Sequence, residues 1–210
     1  MSMSIKVSYK IIETDVVVVG SEAAGARAAF ETQDQSIDVL LITKGKMAKS
    51  GVTVTAAKTC AAPFNEKDSP ETYLKDTIKG GKFINDQKLV KILAEEACQA
   101  ILDYDKYGTN FLKKQDKYVL LQTPGHTYPR GCFVEPRGTT GRKMVGALRR
   151  EASKRKIKIL EDTLVFSILI NNGRAVGVLA IDLQKTEVLV IKAKATILAT
   201  GGGMRVYENS

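Results

Sequence analysis

The sequence contains no tryptophan, one histidine, three cysteines and five prolines among 210 residues. Each scarcity excludes something. A single histidine, His126, argues against a His-rich metal site, and no metal centre is expected. Cys60, Cys98 and Cys132 show no C-x-x-C spacing, and their odd number argues against a disulfide framework. No uninterrupted apolar run exceeds that of Val16 to Val19, far short of the ~20 residues a membrane span requires, and the N-terminus lacks a signal-peptide layout. These absences lead to the expectation of a soluble, cytoplasmic protein.

What is present is an ordinary globular composition, with 44% hydrophobic residues, 26% charged residues and 17 glycines. Disorder and collagen-like repeats are excluded, and the length suits one domain with some surplus. Lysine and arginine outnumber the acids by 32 to 23, for a net charge of +9. Much of that excess lies in Arg149, Arg150, Lys154, Arg155, Lys156 and Lys158, read as the solvated end of a helix. No aromatic-interleaved strand or recognition-helix pattern accompanies it, so no nucleic-acid partner is expected.

Residues 13–44 read as strand, turn, helix, strand. The run Asp15-Val16-Val17-Val18-Val19 suits a strand buried on both faces, the alanine-rich stretch through Phe30 a helix pressed against a sheet, and Ile37 to Ile42 a second strand. A right-handed βαβ unit is the expected product. Residues 44–70 read as a long loop, followed by a helix capped by Ser69 and Pro70 and a second helix from Asp86 to Tyr107. On that second helix Leu89, Ile92, Leu93, Ala97, Ile101 and Leu102 are expected to face the core. A hairpin-like stretch at residues 118–121, a loop over 123–140 and a helix over 141–154 follow. Residues 157–203 read as β, with a hairpin at Asn172-Gly173 and separate strands at Glu187 to Ile191 and Ala195 to Thr200.

The turn after the first strand is Gly20-Ser21-Glu22-Ala23-Ala24-Gly25. A dinucleotide-binding turn reads G-x-G-x-x-G, with glycines for the sharp turn, for close approach of a pyrophosphate and for helix packing. Here Glu22 occupies the middle position, where a carboxylate repels a pyrophosphate unless it points away. By itself the turn suits a dinucleotide site and a purely structural βα turn alike. At the end of the second strand, Thr43-Lys44 stands where dinucleotide folds often place a ribose-binding acid.

Several segments, in order, resemble the flavoprotein family of succinate dehydrogenase and fumarate reductase, which includes L-aspartate oxidase and the adenylylsulfate reductase α subunit. They are Asp15 to Ser21 with Ala24-Gly25-Ala26-Arg27-Ala28-Ala29, Ser50-Gly51-Val52-Thr53, and Asp76-Thr77-Ile78-Lys79-Gly80-Gly81 with Asn85-Asp86-Gln87. Gly125-His126-Thr127 with Pro129-Arg130, Thr140-Gly141-Arg142 and Ala195-Thr196-Ile197-Leu198-Ala199-Thr200-Gly201-Gly202 complete the set. The resemblance implies an α/β, Rossmann-like FAD-binding domain: a parallel sheet with the βαβ unit at 13–44, and a β-meander with its return strand at 157–203. It implies cofactor contacts from Gly20, Ser21, Glu22, Ala23, Ala24, Gly25, Thr43, Lys44, Ser50, Gly51, Val52, Thr53, Leu164, Val165, Ala199, Thr200 and Gly201.

Quinone-linked members carry a histidine in the 44–70 loop that bonds covalently to flavin. This chain reads Lys49-Ser50-Gly51-Val52-Thr53 there, which implies non-covalent FAD. Lys58-Thr59 replaces the family's Gly-Gly. His126 reads either as a structural hydrogen-bonding residue or as one near the flavin or substrate, Arg130, Arg137 and Arg142 face either an anionic substrate or cofactor or solvent, and the cysteines read as buried small residues.

The family's later segments, a Thr-Gly-Asp-Gly cofactor loop, a capping domain with the proton-donating arginine and a last FAD-binding stretch, do not occur before Ser210. The expectation over residues 1–210 is therefore the N-terminal part of an FAD-binding domain, incomplete, with its capping domain absent and no catalytic residue of its own. The implied partners are a C-terminal flavoprotein half and an iron-sulfur subunit, with a dicarboxylate substrate only in the complete enzyme and membrane association only through partners. The alternative is a non-catalytic truncated remnant or interaction module with a degenerate dinucleotide fold.

Overall fold

A computed structural model describes residues 9–203 and 208. Residues 1–8, scanned above for a signal layout, lie outside the described residues, as do 204–207 and 209–210. In chain order the elements are β1 (Tyr9–Val19), α1 (Ala23–Asp34), β2 (Val39–Ile42), α2 (Val52–Thr55), β3 (Cys60–Ala61), α3 (Pro70–Gly80), α4 (Gln87–Lys106) and β4 (Lys113–Lys114). They continue with β5 (Lys117–Tyr118), β6 (Leu120–Leu121), β7 (Gly131–Cys132), α5 (Thr140–Lys154), β8 (Lys158–Leu160), β9 (Thr163–Asn171), β10 (Arg174–Asp182) and β11 (Glu187–Leu198). The chain forms two compact units, one from residues up to Val52 and from Leu148 onward, the other from Thr53 to Ala147.

The first unit is built on a six-stranded sheet of order β8-β2-β1-β11-β10-β9. The pairs β8–β2, β2–β1 and β1–β11 are parallel, while β11–β10 and β10–β9 are antiparallel. This is the expected βαβ unit joined to a meander. Val17 and Val18 are fully buried and all four residues of β2 are buried, as a central strand covered on both faces requires. Helix α1 turns Gly25, Ala26, Ala29 and Phe30 inward, and its small side chains permit close approach to the sheet. Asn172 and Gly173 both adopt positive φ, the geometry of a tight hairpin turn, between β9 and β10.

Residues 187–198 form one strand, correcting the expectation of two. Lys192, Ala193 and Lys194 continue the strand, because the parallel partner β1 extends back to Tyr9 and pairs on both sides of Lys194, from Tyr9–Val188 to Thr14–Ala193 and from Val16–Ala195 to Val19–Leu198.

In the second unit α3 starts as expected, Ser69 Oγ accepting from the Thr72 amide at 3.2 Å with Pro70 in the first turn. Asp86 caps α4 through the Lys88 and Leu89 amides. The buried face of α4 is Val90, Ala94, Ala97, Ile101 and Tyr104, whereas Leu89, Ile92, Leu93 and Leu102 are exposed. The expected face was therefore partly wrong. Apolar residues lie on more than one side of this helix, and periodicity alone cannot choose which side packs. The stretches read as loops at 44–70 and 123–140 contain α2, β3 and β7. Strand β7 pairs with β3 and β6 in a three-stranded sheet, elements too short to leave a period in the sequence.

Candidate functional site

The first unit carries a cleft of about 540 Å³ at the carboxyl ends of β1 and β2. It is lined by Val19 to Glu22, Ile42 to Gly45, Ser50 to Val52, Thr163 to Val165 and Ala199 to Gly202. Four separated segments converge there through main-chain bonds. The Gly20 amide donates to the Ile42 carbonyl at 2.8 Å, the Ala199 amide to Val19 at 2.8 Å, the Thr43 amide to Leu160 at 2.9 Å and the Thr163 amide to Thr43 at 2.9 Å. The end of the strand crossing is thus a rigid frame, the place where open α/β sheets bind ligands.

Gly20 turns the chain at φ +110, and a side chain at Gly25 would collide with the Gly20 carbonyl, so both glycines are required by geometry. Glu22 is the N-cap residue of α1, but its side chain makes no cap hydrogen bond. The carboxylate lies instead against the Cα of Gly51, where any side chain would strike it. The amides of the first turn of a twelve-residue helix are therefore left without a side-chain cap beside the cleft, the arrangement that receives an anionic group.

Of the residues expected at the cofactor, Gly20, Ser21, Glu22, Thr43, Lys44, Ser50, Gly51, Val52, Leu164, Val165, Ala199, Thr200 and Gly201 are brought together on this cleft. Ala23, Ala24 and Gly25 lie just behind it in the first turn of α1 and do not line it, and Thr53 belongs to the other unit. The lining also includes Val19, Ile42, Gly45, Thr163 and Gly202. Among the described residues, side chains added at Gly201 or Gly202 would meet nothing within 4 Å, which leaves that backbone open to a ligand.

The support beneath the loop after β2 was not expected. Met47 is almost fully buried, its amide donates to Glu161 Oε1 at 3.0 Å, and its carbonyl accepts from Arg149 Nη1 at 3.0 Å. Arg149 also bonds Glu161 at 2.5 Å, and Lys46 pairs with Asp162 at 2.7 Å. Burial opposes ionisation of Glu161, but Arg149 and the Met47 amide outweigh it and hold the carboxyl below its usual range. Arg149 is exposed, as expected of the basic run, and is in addition a strut for the loop. In sequence nothing distinguishes it from Arg150.

In the second unit Arg130 is completely buried. Its Nε and Nη2 donate to Asp68 at 2.6 and 2.8 Å, its Nη1 donates to Asp76 at 2.6 Å, and its guanidinium stacks 4.8 Å from the Tyr73 ring centroid. The Thr127 amide and hydroxyl donate to Asp76 as well, both at 2.8 Å. With its guanidinium held by two carboxylates and fully buried, Arg130 is structural, a correction to both expectations, anionic ligand and solvent. Arg137 is exposed beside Glu135, and Arg142 is exposed.

His126 is half-buried, its Nδ1 3.1 Å from the Thr123 hydroxyl and its ring 5.9 Å from that of Tyr73. Burial and the Arg130 charge push its pKa down. The segment carrying Lys58 and Thr59 is tied down by Thr140 Oγ1, which donates to the Lys58 carbonyl at 2.9 Å, and Thr59 packs on Gly131. Cys132 is buried, while Cys60 and Cys98 are half-buried.

A βαβ unit with its helix N-terminus opening on a cleft between strand ends defines an α/β dinucleotide-binding domain. Comparison with known proteins specifies it further. Residues 15–209 match the family model described as FAD binding domain. One subunit of the fumarate reductase (CoM/CoB) of Methanothermobacter marburgensis is 35% identical over 206 residues, covering 94% of this chain and 37% of that protein. An uncharacterized FAD-dependent oxidoreductase of Methanocaldococcus jannaschii is 38% identical over 199 residues, covering 93% and 36%. Among solved structures, Mycobacterium smegmatis Sdh1 in complex with UQ1 aligns with a TM-score of 0.87 at 28% identity, covering 96% of this chain and 36% of that one.

The chain belongs to the FAD-binding domain family of flavoproteins related to fumarate reductase and succinate dehydrogenase, and its cofactor is FAD. It spans about a third of the length of the curated relatives it matches. No helix among the described residues is long and apolar enough to cross a membrane.

Proposed function

We propose that this chain supplies the FAD half-site of an oxidoreductase in which hydride passes between flavin and a dicarboxylate, and that it is inactive without further protein. The observation that carries the reading is the cleft itself, where an uncapped helix N-terminus meets open backbone at Gly201 and Gly202. The residues present fit an FAD. Amides at the start of α1, with Ser21, would hold the pyrophosphate. The segment 163–165 would receive the adenine, and residues 50–52 would run along the flavin. When bound, FAD supplies hydride acceptance and donation, while the protein supplies binding, orientation and electrostatics.

The carboxylate of Glu22 is directed at Gly51 on the same cleft and makes no cap hydrogen bond to the first turn of α1, which supports the reading that an anion is received there. Non-covalent attachment is supported by the absence of histidine from residues 44–53. No residue is assigned as the proton donor. A C-terminal flavoprotein portion would supply that group and grip the dicarboxylate, and an iron-sulfur protein partner would exchange electrons with the flavin.

The test is an FAD titration followed by flavin fluorescence, with the chain alone and with the separately produced C-terminal two-thirds of the Methanothermobacter relative added. Saturable binding in either arm, tighter in the second, is expected. Absence of binding in both would overturn the proposal.

A further inference from the structure

One turn braces two walls of the cleft. Residues 43–45 and 50–52 line one wall and residues 163–165 another, while Glu161 and Asp162, in the turn between β8 and β9, line neither. Main-chain groups make the first joint: the Asp162 amide donates to the Gly45 carbonyl at 3.2 Å and the Thr163 amide to Thr43 at 2.9 Å. Side chains make the second. Glu161 Oε1 accepts from the Met47 amide at 3.0 Å, and Arg149 Nη1 bridges Glu161 Oε1 and the Met47 carbonyl at 2.5 and 3.0 Å. Lys46 closes on Asp162 at 2.7 Å and on Glu161 at 3.4 Å. Asp162 is itself anchored, its carbonyl accepting from the Leu183 amide at 2.8 Å and its carboxylate from Gln184 Nε2 at 3.2 Å, both in the bend between β10 and β11.

We propose that Arg149 and Glu161 are positioning residues for the cofactor, holding residues 44–52 in the binding geometry before FAD arrives. The proposal rests on the reading of this cleft as the FAD site. Neither residue lines the cleft, so both act through Met47 and the loop that carries it. After Ile42 that loop has left the β2 ladder, and the bonds from Thr43, Gly45 and Met47 to residues 160–163 and Arg149 take the place of strand pairing. A loop without them binds only through the fraction of molecules that hold the right conformation. At about one molecule in ten, the apparent Kd rises about tenfold, and the loss falls on association because only that fraction captures the ligand. Arg149 makes both of its bonds through one nitrogen, so a lysine ammonium, with three donors, can replace it.

The test is flavin-fluorescence titration and stopped-flow binding on the full chain, under the conditions in which the wild type binds FAD. Arg149→Met is expected to raise Kd about tenfold, mainly through slower association, and Arg149→Lys to restore it. Arg150→Met, which removes the same charge one residue along α5, is expected to leave Kd unchanged. In the ligand-free chain, hydrogen exchange at residues 44–52 is expected to quicken in Arg149→Met while that of β1 and β11 stays as in the wild type. A Kd for Arg149→Met within about twofold of wild type, an equal loss in Arg150→Met, no recovery in Arg149→Lys, or unchanged exchange at 44–52 overturns the positioning role while leaving the FAD site standing. A wild type that does not bind FAD at all refutes the reading of the cleft and this proposal with it. Should Arg149→Met fail to fold, Glu161→Gln, which keeps an acceptor for the Met47 amide and removes the charge that holds Arg149, decides the matter: faster exchange at 44–52 with weaker FAD binding supports the proposal, and no change in either refutes it.

Discussion

Replacing Arg130 by methionine is expected to destabilise the second unit by about 3–5 kcal/mol, the usual loss when one partner of a buried ion pair is removed and the other left behind. The geometry places the variant in that range. Arg130 is fully buried, Asp68 shows no exposed side-chain surface and Asp76 only 13%, and three charge-assisted bonds of 2.6 to 2.8 Å join them. Methionine fills much of the volume but leaves two carboxylates together without a cation. At roughly 2–4 °C per kcal/mol for a chain of this size, the melting midpoint should fall by roughly 6–20 °C.

The size of the loss should also depend on pH. Burial disfavours the Asp76 carboxylate, but bonds from Thr127 and Arg130 outweigh it and lower the pKa. In the wild type that contribution is fully present above the unfolded value of about 3.9 and is lost as pH falls through the lowered folded value. Without Arg130 the carboxylate keeps its Thr127 bonds but loses the cation, so the folded pKa of Asp76 rises relative to the wild type and protonation costs the folded state less. The gap between variant and wild type should therefore shrink as pH is lowered through the carboxylate range. Urea unfolding followed by circular dichroism at several pH values measures both quantities. A loss below about 1 kcal/mol, the value of an exposed pair, or a gap that does not narrow in acid would refute the reasoning.

Gly25→Ala is expected to destabilise the first unit by about 1–3 kcal/mol, because the new methyl meets the Gly20 carbonyl and the Ala199 side chain; thermal melting tests this. Glu22→Gly, which restores the three-glycine pattern, should change the FAD dissociation constant by less than about tenfold, or ~1.4 kcal/mol, since the carboxylate already points at Gly51. A gain of several orders of magnitude in the same titration would show that it faces the pyrophosphate. Burial pushes the Cys60 thiol up to about 11 and the Cys132 thiol up to about 12. Iodoacetamide at mildly alkaline pH should therefore leave both unlabelled in the native chain and label them after unfolding, as read by mass spectrometry.

Periodicity and composition were enough for the framework of the first unit. Four successive valines before a glycine, an alanine-rich helix and an Asn-Gly turn leave few alternatives, because strand burial, close helix packing and positive φ each demand particular residues next to one another in the chain. The residues expected at the cofactor came from the resemblance, and most of them lie on one cleft.

What only the tertiary structure decided were pairings between residues distant in sequence. Which side of α4 is buried, whether Arg130 is a ligand contact or a strut, and where the Glu22 carboxylate points all depend on partners far along the chain or on neighbouring helices. Arg149 under the loop at Met47, 102 residues apart, is of the same kind. A side chain's charge and size are written in the sequence, but its partner is chosen by packing. Local conformation could therefore be read from the sequence, whereas the roles of the arginines and of Glu22 emerged only when the sheets and helices brought their partners within bonding distance.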